Sequence, residues 1–176
     1  TWNVRGQYLR DVIYANGLFV GVGDSGHIRT STDGVTWTAR ESGTTASFFR
    51  ITYGNNLFVA VGEGSTIRTS PDGITWTARA AGVTGIPLIG VAYGNDTFVI
   101  VGSAGTVLTS PDGVNWTPGT SGFMDQINDI AFGNGTFVGV SGYAYLSTDG
   151  IDWERQAKSG YSWGITYTNN LFVAVG

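Results

Sequence analysis

Four aspartates recur at nearly equal intervals, Asp33, Asp72, Asp112 and Asp149, separated by 39, 40 and 37 residues. Each stands in the same seven-residue phrase: STDGVTW from Ser31, SPDGITW from Ser70, SPDGVNW from Ser110 and STDGIDW from Ser147. A carboxylate placed between a hydroxyl and a glycine can ligate a hard cation or fold back onto the backbone of its own turn. Ca2+ wants six to eight oxygens and each phrase offers one carboxylate, so the local role is the expected one. Asp accepts hydrogen bonds from downstream N–H groups, Ser does so more weakly, Gly takes the backbone angle other residues avoid, and Trp supplies a wedge. Ser31, Asp33, Gly34 and Trp37 are therefore assigned to the scaffold, with Ser70, Asp72, Gly73 and Trp76 in the second copy. Ser110, Asp112, Gly113 and Trp116, then Ser147, Asp149, Gly150 and Trp153, repeat the set. No metal site or cofactor is expected.

The other chemistry-bearing side chains separate by subtraction, since what every copy shares is explained by the repeat. Arg29 and Arg68 share one slot, and Arg5, Arg40 and Arg79 share another, three residues after Trp. Arg10, Arg50 and Arg155 remain. The glutamates, Glu41, Glu63 and Glu154, fall in or beside connecting segments, and His27 takes a strand position filled elsewhere by Thr66 and Thr106. A lone histidine in a repeat slot suits neither metal binding nor general-base work. Three Asn-x-Thr sequons, beginning at Asn95, Asn115 and Asn134, arise where turn residues meet Thr-rich strands. The Gly-rich GVG and GEG segments precede strands rather than helices, which does not suit a phosphate cradle.

The elements that position these residues are short strands. In the first copy YLRDVIY ends at Tyr14, LFVGVG follows from Leu18, HIRTS runs from His27 and VTWTAR from Val35. Asn16-Gly17 between the first two is a hairpin signal, because both turn positions need positive φ. Asn55-Asn56, Asn95-Asp96, Asn134-Gly135 and Asn169-Asn170 keep that chemistry. The second strands, LFVGV, LFVAV, TFVIV, TFVGV and LFVAV, are apolar almost throughout, as strands covered on both faces are. Four antiparallel strands in about 40 residues, unable to cover both faces alone, predict an all-β fold: a β-propeller of four-stranded blades in five repeat units. One domain spans 1–176, with units at about 5–39, 40–78, 79–118, 119–155 and 156–176 plus 1–4. Thr1-Trp2 reads as the end of an otherwise missing phrase. A five-bladed ring with one incomplete blade and five consecutive units of a longer array both fit.

Composition agrees: 28 Gly, 4 Pro and 12% charged residues describe strands and tight turns. A net charge of −4 without a basic run excludes nucleic acid as an expected partner. Cysteine is absent, which removes thiolate metal sites and thiol nucleophiles. No apolar run nears the roughly 18 residues of a membrane helix, so no membrane insertion is expected.

At Ser-x-Asp-Gly-x-x-Trp the chain resembles the Asp-box, or BNR, repeats of sialidases and many bacterial and phage propellers. The resemblance covers essentially the whole chain, with one residue fewer between Asp and Gly than the usual box. It implies a structural turn between third and fourth strands, on the face away from the ligand. It does not extend to the sialidase catalytic set, an arginine triad with a Tyr nucleophile, a Glu and an Asp. FRIT at Phe49 to Thr52 resembles the family's Phe-Arg-Ile-Pro only without its proline.

Function is thus sought where the units differ. Three residues before the aromatic that ends each first strand stand Asp11, Arg50, Gly90, Asp129 and Gly164; four before it stand Arg10, Phe49, Ile89, Asn128 and Trp163. The connections leading there carry further apolar residues, Tyr161 among them. Variable loops on a rigid scaffold are where sites lie. Arg10, Asp11, Phe49, Arg50, Asn128, Asp129, Tyr161 and Trp163 are the expected ligand-binding set. The expected function is a non-enzymatic recognition module, carbohydrate-binding or adhesive, on an extracellular, cell or virion surface, taking a glycan or protein ligand. The alternative is an assembly module whose incomplete blade accepts a strand from another chain or segment; glycoside hydrolysis ranks third.

Overall fold

The computed structural model describes residues 9–158 and 160–176. Thr1, Trp2 and Arg5, expected in the last unit's fourth strand and a repeat slot, lie outside the described residues. The first blade comprises β1 (Leu9–Ala15), β2 (Leu18–Gly23), β3 (Ile28–Ser31) and β4 (Thr38–Arg40). The second comprises β5 (Phe48–Gly54), β6 (Leu57–Gly62), β7 (Ile67–Ser70) and β8 (Thr77–Arg79). The third comprises β9 (Leu88–Gly94), β10 (Thr97–Gly102), β11 (Thr106–Ser110) and β12 (Thr117–Thr120). The fourth comprises β13 (Asp129–Gly133), β14 (Thr136–Val140), β15 (Tyr143–Ser147) and β16 (Glu154–Lys158). In the fifth unit β17 (Gly164–Thr168) pairs with β18 (Leu171–Val175) alone among the described residues. Each sheet is an antiparallel meander in sequence order. The first strands β1, β5, β9, β13 and β17 pack in succession, which places them together at the inner side of the arc.

Local chemistry explains the meander. All five two-residue hairpin turns hold both residues at positive φ, from Asn16 at 52° and Gly17 at 74° to Asn169 at 48° and Asn170 at 60°. In the Ser-x-Asp-Gly-x-x-Trp turns one oxygen of the aspartate is engaged locally. Asp33 Oδ1 accepts from Val35 N at 2.8 Å, from Thr36 N at 2.7 Å and from Ser31 Oγ at 2.8 Å. Trp37 Nε1 closes the turn onto the Gly34 carbonyl at 3.2 Å. Asp72, Asp112 and Asp149 repeat this pattern with their own neighbours. These donated backbone bonds pull all four carboxyls below the usual carboxylate range. They also correct one expectation. The fourth strand begins at Thr38, not Val35, because the N–H groups of Val35 and Thr36 already serve Asp33.

The core lies between blades rather than within them. Val59, Ala60 and Val61 of β6, and Val99, Ile100 and Val101 of β10, are wholly buried because neighbouring blades cover both faces. Neighbouring blades come into close contact at the hairpin end of the first strands. A Cβ at Gly54 would stand 2.1 Å from the Tyr93 ring, one at Gly94 2.1 Å from Phe132, and one at Gly133 2.2 Å from Tyr167. Each aromatic of one blade thus lies flat on the glycine of the blade before it. The connections consist of turns and single 3-10 turns such as Asp24–Gly26, and no helix among the described residues is long and apolar enough to cross a membrane.

Candidate functional site

The opposite end of the first strands is built differently. Between Leu9 and Asp11 the pairing of β1 with β2 slips by one residue; the same happens between Phe48 and Arg50 in β5, and across Ile89 at the start of β9. The slipped residues are Arg10, Phe49 and Ile89. A bulge removes a residue from the ladder and re-aims its side chain. In the last two units Asn128 N and Trp163 N each donate to the carbonyl that faces the following residue, Val140 O and Val175 O at 2.8 Å. Five equivalent positions are therefore pushed toward the inner mouth of the arc.

All five line one concave pocket of about 450 Å3, with Arg50, Pro87, Ser103 and Gln126. That size lies in the usual range for small-ligand and peptide-anchor sites, about 300–1,000 Å3. Its walls are mixed. Phe49, Ile89, Pro87 and the exposed ring of Trp163 give apolar surface, while Arg10 spans the Phe49 ring, its guanidinium carbon 5.2 Å from the ring centre, and is ion-paired through Nε with Asp24. A polar chain ties the later blades: Ser103 Oγ donates to Gln126 Oε1 at 3.2 Å, Gln126 Nε2 to Asn128 Oδ1 at 2.8 Å, and Asn128 Nδ2 to the Ser162 carbonyl at 2.8 Å.

Beneath the rim the next slot acts between blades. Asp11 Oδ2 accepts from Ile51 N at 2.9 Å, one blade on, and Asp129 Oδ2 accepts from Ile165 N at 3.0 Å, again one blade on. Their other oxygens take the N–H groups of Val12 and Ile130. Burial pushes the Asp11 carboxyl up, against the pull of the Ile51 N–H and the Arg50 charge. Arg50 occupies this slot in the second blade and reaches past the third to Asp129 Oδ1 at 3.2 Å. Gly90, which holds the slot in the third blade, sits close against the fourth: a Cβ there would lie 2.9 Å from Val101 Cγ2 and 3.2 Å from Asp129 Cα. Arg50 also donates to the carbonyls of Phe49 at 3.1 Å and Trp163 at 3.5 Å.

Of the eight residues expected at the site, Arg10, Phe49, Arg50, Asn128 and Trp163 come together in the pocket. Asp11 and Asp129 do not line it, and their oxygens are engaged by the neighbouring backbone. Tyr161 stands edge-on against Trp163 at 4.8 Å, outside the lining. Pro87, Ser103 and Gln126 were missed, being small or neutral loop residues with no signal of their own, whereas Ile89 was visible as the fifth member of its slot. The third arginine outside the repeat, Arg155, packs elsewhere, over Tyr143 and Phe123 and bonded to Asp125 at 3.2 Å.

No protein-family model and no curated protein matches the chain. Solved structures do. It superposes on YCF48 from Cyanidioschyzon merolae with a TM-score of 0.70 at 17% identity, covering 93% of this chain and 61% of that one. A chain of the nidogen/laminin complex matches with a TM-score of 0.76 at 11% identity over 98% of this chain and 73% of that one. YCF48 bound to D1 peptide gives 0.61 at 15% identity, over 85% and 53%. The chain thus spans about three fifths of the YCF48 chain's length, and what is shared at these identities is architecture: this protein has a β-propeller fold.

Proposed function

We propose that this propeller is a non-enzymatic recognition module whose pocket at the inner mouth takes an extended segment of a partner protein. The observation that carries it is the convergence of five non-repeating residues, one from each unit, on one mixed apolar and cationic concavity. Repeat packing gives no reason for Arg, Phe, Ile, Asn and Trp to alternate in one slot, while a ligand does. Among the similar structures, YCF48 is bound to a D1 peptide and nidogen is in complex with laminin, which makes a protein segment the first ligand to try. The exposed Trp163 and Tyr161 rings favour a second ligand class, a sugar stacked on an aromatic face. The proposal keeps the chain among Asp-box propellers and places it on an extracellular or particle surface.

Peptide and glycan arrays probed with the purified chain test this, followed by calorimetry on the best hit. Trp163→Ala and Phe49→Ala are expected to weaken binding by about tenfold or more each, as pocket aromatics do. Arrays without a hit, or hits that these variants leave unchanged, refute it. Turnover of a fluorogenic sialoside would instead make the chain an enzyme.

The assembly alternative has its own observation. Among the described residues β18 pairs with β17 alone, and a groove of about 400 Å3 runs along the fourth blade, lined by Thr136, Leu146, Trp153 and Glu154. A strand donated to β18 would extend the fifth sheet toward it.

A further inference from the structure

The outer strands of the first two blades carry the same cation, and the third omits it. Arg40 in β4 and Arg79 in β8 stand in one slot, three residues after the tryptophan of the Ser-x-Asp-Gly turn. Arg40 lies across its sheet from Ile28 and Arg79 from Ile67, and each reaches a hydroxyl two positions further along the third strand. Arg40 Nε donates to Thr30 Oγ1 at 2.9 Å, and Arg79 Nε to Thr69 Oγ1 at 2.8 Å. The third blade keeps this register, with Gly119 across from Val107 and Thr117 across from Thr109, but its glycine offers Thr109 no donor. Backbone strain does not require the glycine. Its φ lies outside the left-handed region, and a Cβ there would have only the Val107 carbonyl oxygen within 4 Å, at 3.8 Å.

A cleft of about 150 Å3 opens at this slot, its walls including Val107, Thr109, Thr117, Pro118, Gly119 and, from the fourth blade, Ile151. Residues beside the slot lose cover. Thr109 is half-buried where Thr30 and Thr69 are 2% and 1% exposed. Ile151 is 63% exposed, whereas Ile74 and Val114, which follow the blades that hold the arginine, are 45% and 39% exposed. Apolar walls edged by threonine hydroxyls suit a side chain with an apolar stem and a hydrogen-bonding head.

We propose that this cleft takes an arginine side chain from a segment of a partner protein, which completes the third blade as Arg40 and Arg79 complete the first two. The stem lies along Val107, Pro118 and Ile151, and the guanidinium donates to Thr109 Oγ1. Arginine is favoured over lysine because the chain itself fills the slot twice with arginine, bonded through Nε, a donor on the stem side of the head that lysine does not have. The net charge of −4 favours the approach of a cation. The segment comes from the rim, since β12 is the outermost strand of its sheet and its four residues are exposed. The cleft shares no residue with the pocket at the mouth.

Arginine capped as its N-acetyl methylamide, titrated into the isotope-labelled chain, is the first probe, with capped lysine and capped norleucine as controls. Saturable amide shifts are expected at Thr109, Gly119 and Ile151, weaker with lysine and at least about tenfold weaker with norleucine, which keeps the stem and lacks the head. Gly119→Arg supplies the side chain itself and should abolish them. It should also melt about 2 °C or more above Gly119→Ala, which shares the gain of replacing a strand glycine but leaves the cleft open and keeps the shifts. Peptide arrays then identify the source: arginine-containing hits should be lost with Gly119→Arg and retained with Phe49→Ala, which alters the mouth alone. No saturable shift, an equal response to lysine or norleucine, or a Gly119→Arg no more stable than Gly119→Ala overturns the proposal. So does an array without a hit sensitive to Gly119→Arg, which would leave free guanidinium compounds as the only ligands of the cleft.

Discussion

The two ends of the first strands follow opposite rules. At the hairpin end one solution recurs, a ring lying on the glycine of the blade before in three successive contacts and an aspartate whose oxygen closes its own turn in four units. At the mouth each unit contributes something different, and its polar groups reach to other blades: Asp11 to the second, Arg50 to the fourth, Asp129 to the fifth. Repetition marks contacts satisfied within the unit or with an identical neighbour. Variation marks positions whose environment is supplied by the whole arc.

The largest effect belongs to the hairpin end. Gly94→Val should cost about 3 kcal/mol or more, since its Cβ overlaps the Phe132 ring and neither backbone nor ring can yield cheaply. Urea denaturation measures this, and a loss under about 1 kcal/mol would mean the blades part easily there. Next comes the slot beneath the rim. Asp129→Ala removes acceptors from Ile165 N, Ile130 N and Arg50 together and should cost about 2 kcal/mol. Faster hydrogen exchange at the Ile165 amide would locate the damage.

Acid should then separate the ends by sign. Asp33, Asp72, Asp112 and Asp149 have lowered folded pKa values, so their support is present above the unfolded value near 3.9 and is lost as pH falls below it. Asp11 has a raised folded value, so its contribution grows as pH falls through that value and is lost again as pH rises. Urea midpoints near pH 7, 5 and 3 should show Asp72→Ala converging on wild type only at the acidic extreme. Asp11→Asn should flatten the milder acid region. The smallest effect is at the rim itself: Ile89→Ser should change stability by no more than about 0.5 kcal/mol while altering ligand binding. A larger loss on melting would show that the rim carries the fold as well.

Most of the fold could be read from the residues because the repeat stated it five times. Asn-Gly and its variants marked hairpins, and the unbroken apolar second strands marked sheets covered on both faces. The fourth strands were read too long because a carboxylate capturing two N–H groups leaves no trace in hydrophobic periodicity. At the site, comparing equivalent slots found Arg10, Phe49, Asn128 and Trp163, since sequence position and channel position coincide there. It could not tell that Asp11 and Asp129 point sideways into the next blade. That distinction depends on the bulge at the preceding residue, which is a property of pairing and not of composition.

The bulge also has an evolutionary consequence. A residue that sits outside the ladder can be exchanged without renegotiating the packing below it, so the mouth behaves as a five-letter word written on an otherwise fixed page. Arg, Phe, Ile, Asn and Trp are one spelling. Randomising positions 10, 49, 89 and 163 together, with Asn128 kept because it is buried and bonded to Gln126 and the Ser162 carbonyl, would yield a library in which specificity varies and the framework stays constant.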